Sequence, residues 1–106
     1  MKKILEIRGD DAQVMLGLLR QVATNEGACP LHELHRETLQ AMATHLFHTD
    51  FDPDAPAVSF ADAKTHVVDP DLQRDLMNMA GVFPYLEEDH LQDRIDAVGR
   101  LGEAMG

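Results

Sequence analysis

Histidine is the residue type in this sequence best suited to chemistry, because four of the six histidines fall within one short stretch. They form two pairs with His-x-x-His spacing, His32 with His35 and His45 with His48. Imidazole nitrogens bind divalent metals, and a spacing of three residues brings two side chains to one face of a helix. The two pairs lie about 20 Å apart along a helix, so one ion cannot join them unless the helix bends. One hypothesis is therefore a divalent metal ion or a cofactor bound by His32, His35, His45 or His48.

The same histidines also fit a structural role. His35 falls near the middle of an apolar stripe that contains Leu31, Met42 and Leu46, which predicts a hydrogen-bonded histidine in the core. The other three lie at the edge of this stripe or outside it, which predicts polar groups at the surface. From the sequence, the histidines are either ligands or parts of the packing, and both interpretations stay open.

Alternating acids after this stretch resemble the start of a calcium loop. Asp50, Asp52 and Asp54 have the spacing of the first three ligands of an EF-hand. An EF-hand also requires Gly at its sixth position and Glu at its twelfth, where this sequence has Ala55 and Ala61. The pattern therefore predicts a solvated acidic loop.

Two further motifs are fragments of catalytic or redox sites. Glu87 and His90 have the Glu-x-x-His spacing of di-iron bundles, which need two such motifs and two more glutamates. Cys29, beside Pro30 at a predicted helix start, is either a small buried residue or a thiol activated by a lowered pKa. Because no nucleophile, base and oxyanion donor converge, we predict that the protein is not an enzyme.

Apolar spacing predicts five helices and no strand. The first three helices are predicted at about 11–24, 30–48 and 60–67. The fourth is predicted from Asp69-Pro70 to Gly81, and the fifth from the acids at 87–89 to the C-terminus. Capping boxes are predicted at Asp10 with Gln13 and at Ser59 with Asp62. Gly27 suits a left-handed position after the first helix, and Pro30 suits the first turn of the second. With few aromatic residues, Leu, Met and Val are expected to fill the core.

The predicted architecture is an all-α, compact bundle in a single domain over 1–106, with residues 1–9 as a short N-terminal arm. The two halves of the chain read alike, as helix, Gly-x-x-Pro turn and helix, with the turns at 27–30 and 81–84. We therefore expect two similar αα-hairpins. In this pattern, over about 11–105, the chain resembles the TerB-like family of small helical domains, named for a tellurite-resistance protein.

The resemblance lies in the pattern rather than in a diagnostic motif. TerB-like domains commonly have Ala-Asp-Gly in the first turn, with acids proposed to bind metal, whereas this chain has Ala23-Thr-Asn-Glu-Gly27. The second turn, Ala80-Gly-Val-Phe83, has no acid, which weighs against an inherited metal site. What the resemblance implies is an acidic helical domain linked to stress response or to assembly with partner proteins.

The net charge of -10 excludes several classes of partner. Nucleic acids and anionic membranes would be repelled, because both require a basic surface. No apolar run is long enough for membrane insertion, and the start of the chain does not read as a secretory signal. A single cysteine is typical of a reducing compartment, so we expect a cytoplasmic protein.

The main functional hypothesis is a non-enzymatic interaction module whose acids contact a partner protein with a basic surface. Self-association of the chain is a second arrangement that the sequence allows. The alternative function is a metal- or cofactor-binding domain that uses the histidine-rich helix 30–48. The expected partner-binding acids are Glu26, Glu33, Glu37, Asp50, Asp52 and Asp54.

Overall fold

The computed structural model of this chain describes residues 9–52, 58–86 and 89–106. Within these ranges it contains five α-helices and no strand. They are α1 (Gly9–Ala23), α2 (Glu33–His45), α3 (Phe60–His66), α4 (Pro70–Ala80) and α5 (Leu91–Met105), with a 3-10 helix at Phe83–Leu86 between α4 and α5. The prediction of an all-α bundle is confirmed. The internal duplication into two hairpins stays a prediction.

Helix α1 lies at the centre of the bundle and contacts all four other α-helices and the 3-10 helix. From Met15 onward it is buried on nearly every side. A helix with buried side chains around most of its circumference needs neighbours on several sides, which agrees with its central position. Its fully or almost fully buried side chains are Ala12, Met15, Leu16, Leu18, Leu19, Val22 and Ala23.

The remaining elements complete the core around α1. Helix α3 packs mainly on α5, while α2 packs on α1 and on the 3-10 helix. The expectation that Leu, Met and Val fill the core was incomplete, because all four phenylalanines of the chain are buried as well. They are Phe47, Phe51, Phe60 and Phe83. Among the described residues, no helix combines the length and apolar character that crossing a membrane requires.

The cap predicted at Asp69 is confirmed, whereas the capping box predicted at Ser59 is not formed. Asp69 caps α4 by accepting a hydrogen bond from the Asp71 amide at 2.9 Å, and Pro70 is the first helical residue. Ser59 precedes α3 as predicted, but its hydroxyl donates to the Asp62 carboxylate at 3.0 Å instead of accepting from a backbone amide. The side chain and backbone of Asp62 therefore both contact Ser59.

The predicted capping box of α1 was wrong. The helix begins at Gly9, which the sequence analysis assigned to the N-terminal arm, so Asp10 lies within the helix. Gln13 does not return to the helix start, because its amide donates to Thr49 and Asp50 in a distant loop. The rest of the predicted arm, residues 1–8, lies outside the described residues.

Helix α2 is shorter than the predicted 30–48. It begins at Glu33, and His32 caps it by accepting a hydrogen bond from the Leu34 amide at 3.1 Å. Pro30 stays in the preceding turn, where its carbonyl faces the Arg94 guanidinium. The helix ends at His45, and His48 has a left-handed backbone with φ 53°, which an α-helix cannot include.

Candidate interaction surface

The outward side of α2 and the loop after it form one continuous strip of mainly polar side chains. A shallow hollow along α2 and a second one at the end of α2 share Thr44. We name this surface the α2 strip, and it consists of Arg36, Glu37, Gln40, Ala41, Thr44, His45, His48, Thr49 and Asp50. Glu33 is exposed one helical turn before Glu37 and extends the same face. Three predicted partner-binding acids, Glu33, Glu37 and Asp50, are therefore on or beside one surface.

Two side chains of α1 fix the loop that forms the end of this strip. The Gln13 amide nitrogen donates to the Thr49 hydroxyl at 2.9 Å and to the Asp50 carbonyl at 2.8 Å. Farther along α1, an Arg20 nitrogen lies 3.4 Å from the Asp52 carbonyl. Because the backbone of this loop is bound to the central helix, the exposed Asp50 carboxylate is presented from a fixed position.

Glu26 lies apart from this strip, in the turn after α1. Its carboxylate accepts a hydrogen bond from Arg100 Nε at 3.3 Å, and the same guanidinium contacts the Asn25 side chain and lies over the Phe60 ring. Asn25 and Glu26 have φ of 49° and 54°, and Gly27 has 89°, so three successive residues are left-handed where only Gly27 was predicted to be. Arg100 thus engages Glu26 within the molecule and stabilises a strained turn.

The two remaining acids of the predicted set differ in what the structure shows. Asp52 is exposed, and its backbone carbonyl contacts Arg20. Asp54 lies outside the described residues, as does Glu87 of the Glu-x-x-His motif. The acidic triplet predicted to open the last helix also falls partly outside them, and α5 begins at Leu91.

The four clustered histidines occupy different environments. His35 is fully buried, with Nε2 2.7 Å from the Phe83 carbonyl and its ring packed on the Phe83 ring, which confirms the predicted core histidine. His32 caps α2 and meets the His35 ring edge-on, with 6.1 Å between ring centres. His45 and His48 are exposed on the α2 strip. Among the described residues, no three His, Cys, Asp or Glu side chains converge as a metal site.

Cys29 does not have the environment of a reactive thiol. It is 6% exposed, and its sulfur lies 3.8 Å from the Ala23 carbonyl. Burial raises the pKa of this thiol, an effect that Arg94 opposes and Asp93 reinforces. Of the two alternatives for Cys29, the structure supports the small buried residue, because helix α2 begins four residues later, at Glu33, and the thiol is not at its N-terminus.

Sequence reasoning missed that the basic side chains are used inside the molecule. Arg94 is 1% exposed and donates from Nε to the Ala23 carbonyl at 2.7 Å, at the C-terminal end of α1. Arg20 is 8% exposed and contacts the loop after α2. Arg100 holds the turn at Glu26, and Arg74 pairs with the neighbouring Asp71 at the surface. The positions of cations in a helical pattern give no signal for the contacts of Arg20, Arg94 and Arg100, since each of these residues contacts a group far away in sequence.

Comparison of the chain with family models, curated proteins and solved structures found no match. The function is therefore argued from the surface and the charges that the structure presents.

Proposed function

We propose that this protein is a non-enzymatic interaction module that binds a partner protein with a basic surface through the α2 strip. Glu37 and Asp50 lie on the strip and Glu33 extends it, so three carboxylates accompany the single guanidinium of Arg36. A surface of this kind would speed association with a basic partner and make binding sensitive to salt. The proposal includes a cytoplasmic setting, which the presence of a single cysteine in the sequence supports.

The observation that carries this proposal is the way in which charge is divided between inside and outside. Four of the six described basic residues, Arg20, Arg74, Arg94 and Arg100, contact carbonyls or acids of the same chain. Glu33, Glu37 and Asp50 are exposed, and no ion pair of these side chains occurs among the described residues. These four cations therefore contact groups of the same chain, while the three carboxylates face outward, where cations of a partner can reach them.

The resemblance to TerB-like domains supports the same proposal and adds a biological setting, stress response or the assembly of partner proteins. That resemblance is one of helical pattern. The charge distribution supports the proposal independently of it.

The test compares two double variants that change the net charge equally. In Glu37→Lys/Asp50→Lys, both reversals are on the α2 strip. In the control Asp96→Lys/Glu103→Lys, both are on the exposed side of α5. Each purified protein is immobilised and exposed to lysate at low and at moderate salt, and retained proteins are identified by mass spectrometry.

We expect a defined set of proteins that the wild type and the α5 control retain and the strip variant loses, with retention weakened by salt. Loss of the same proteins from both variants would mean that total charge decides binding, and the proposal would fail. Retention of all of them by the strip variant would also contradict it. If the retained protein is another copy of this chain, sedimentation of the wild type and the strip variant identifies the self-association directly.

A further inference from the structure

On one face of the central helix, two polar side chains act as anchors that contact the loop after α2, and a glycine lies between them. Gln13, Gly17 and Arg20 are four and three residues apart, which places them within one stripe of α1. Gln13 holds the loop backbone at Thr49 and Asp50, and Arg20 contacts it at Asp52. The two anchors are separated by about 10 Å along the helix, and the three-residue step from Thr49 to Asp52 spans about the same length when extended. The loop therefore runs alongside α1 and passes over Gly17.

A cavity lies at this point, because Gly17 has no side chain between the two anchors. Its volume is about 150 Å³, and Val14, Leu16, Phe51 and Val58 contribute apolar walls. A Cβ atom built on Gly17 would lie 3.7 Å from a methyl carbon of Val58, which is an ordinary contact distance. Larger residues at this position would thus extend into the cavity. Glycine inside a helix costs about 1 kcal/mol relative to alanine, so the gap is maintained against helix propensity.

The polar edge of the cavity favours one kind of ligand group. Gln13 has two amide hydrogens, and both are already used, on the Thr49 hydroxyl and the Asp50 carbonyl. What Gln13 offers to a ligand is therefore its amide oxygen, a hydrogen-bond acceptor. The net charge of -10 disfavours anions, and the wall contains one residue of each charge, Arg20 and Asp52, so it favours no ion of either sign.

We propose that this cavity binds a small neutral compound with an apolar body about the size of a benzene ring and one hydrogen-bond donor, which contacts the amide oxygen of Gln13. An apolar cavity of about this volume is large enough for benzene in another protein. Phenol has the required shape and donor, and benzene has the shape alone. This site shares no lining residue with the α2 strip, since its walls come from α1 and from Phe51, Asp52 and Val58.

The test is a nuclear magnetic resonance titration of the full chain with phenol and, separately, with benzene. We expect saturable shifts of amides around Gly17 and Phe51, with a phenol Kd on the order of 1 mM, as for a ligand of this size, and weaker binding of benzene. Gly17→Leu fills the cavity and is expected to abolish the saturable shifts. The control is Gly99→Leu, because a Cβ on that exposed glycine of α5 meets no atom within 4 Å.

Each result decides between the proposal and its rejection. Non-saturable shifts, shifts spread over the whole surface, or unchanged phenol binding by folded Gly17→Leu would overturn it. Equal affinity for benzene and phenol would overturn the contact with Gln13. If circular dichroism shows that Gly17→Leu does not fold, Gly17→Ala replaces it, since its Cβ fits at ordinary contact distance and still reduces the cavity. Undiminished phenol binding by that variant would count against the site.

Discussion

Arg94 is the residue whose replacement tests the structure most directly, because one guanidinium connects three segments of the chain. It donates to the carbonyls of Ala23 at 2.7 Å and Asp89 at 2.5 Å, and lies 3.5 Å from the Pro30 carbonyl. Ala23 ends α1, where helix carbonyls have no partner within the helix. A cation at this end also interacts favourably with the helix dipole. Arg94 thus satisfies a buried helix terminus from 71 residues away in sequence.

The expected loss of stability follows from these contacts. Arg94→Met largely keeps the length of the side chain but removes every hydrogen-bond donor. The carbonyls of Ala23 and Asp89 then lose the donor that Arg94 provides. Hydrogen bonds to a charged group contribute about 1.5–3 kcal/mol each, and the variant loses two of them. Part of this loss is offset, because the variant has no guanidinium that must be desolvated on folding. We therefore expect the free energy of unfolding to fall by about 3–5 kcal/mol, out of about 5–15 kcal/mol for a domain of this size. Arg94→Lys, with a single ammonium group, should lose about half as much.

Urea denaturation followed by circular dichroism measures this loss. For Arg94→Met the unfolding midpoint should drop by about 2 M, from the slope typical of small domains. The control is Arg74→Met, which removes an exposed pair with Asp71 and should change the free energy of unfolding by less than about 0.5 kcal/mol. If the two variants lose equal stability, the role assigned to the Arg94 contacts is refuted.

Two further predictions concern backbone conformation and protonation. Gly99→Ala should raise the free energy of unfolding by about 1 kcal/mol, because Gly99 is exposed within a helix, where alanine is favoured over glycine. Gly27→Ala should lower the free energy of unfolding by about 1–2 kcal/mol, because Gly27 has φ 89°, a left-handed conformation that alanine disfavours. Burial raises the pKa of the Cys29 thiol above its usual value, so the unfolded chain releases this proton first and stability should fall as the pH rises past the usual pKa of a thiol. Cys29→Ala should show a smaller alkaline fall, measured by urea denaturation across this pH range.

Both predictions have internal controls. A Cβ on Gly27 or Gly99 meets no atom within 4 Å, so the two alanine variants differ only in the backbone conformation that each requires. Similar effects of the two changes would contradict the explanation by backbone conformation. An alkaline fall of equal size in wild type and Cys29→Ala would show that another group causes it.

The sequence predicted those features whose causes are local. The cap at Asp69 and Pro70 involves adjacent residues, and the apolar stripe of α2 correctly indicated a buried His35. The prediction failed where a distant segment competes for a side chain. Gln13 has the spacing of a capping box but binds a loop 36 and 37 residues away. Similarly, Pro30 suits a helix start, yet its carbonyl is used by Arg94 and the helix begins later.

The candidate sites divide in the same way. Glu33 and Glu37 share a face because helix periodicity places them there, and the sequence shows this spacing directly. Asp50 lies beside that face because Gln13 holds the loop after α2 in place. The cavity at Gly17 forms because the same loop passes beside α1. Neither arrangement leaves a pattern in the sequence, since both depend on contacts between residues far apart along the chain.

The sequence by itself determined where the helices form and that the chain carries a large excess of acids, because helix signals and charge are properties of neighbouring residues and of composition. Only the tertiary structure decided which charges stay outside. Packing brings Arg20 and Arg94 to backbone carbonyls of distant segments and Arg100 to Glu26, while Glu37 and Asp50 remain exposed. Buried cations must be compensated by whatever acceptors the fold places beside them, so their partners are set by the packing of the helices.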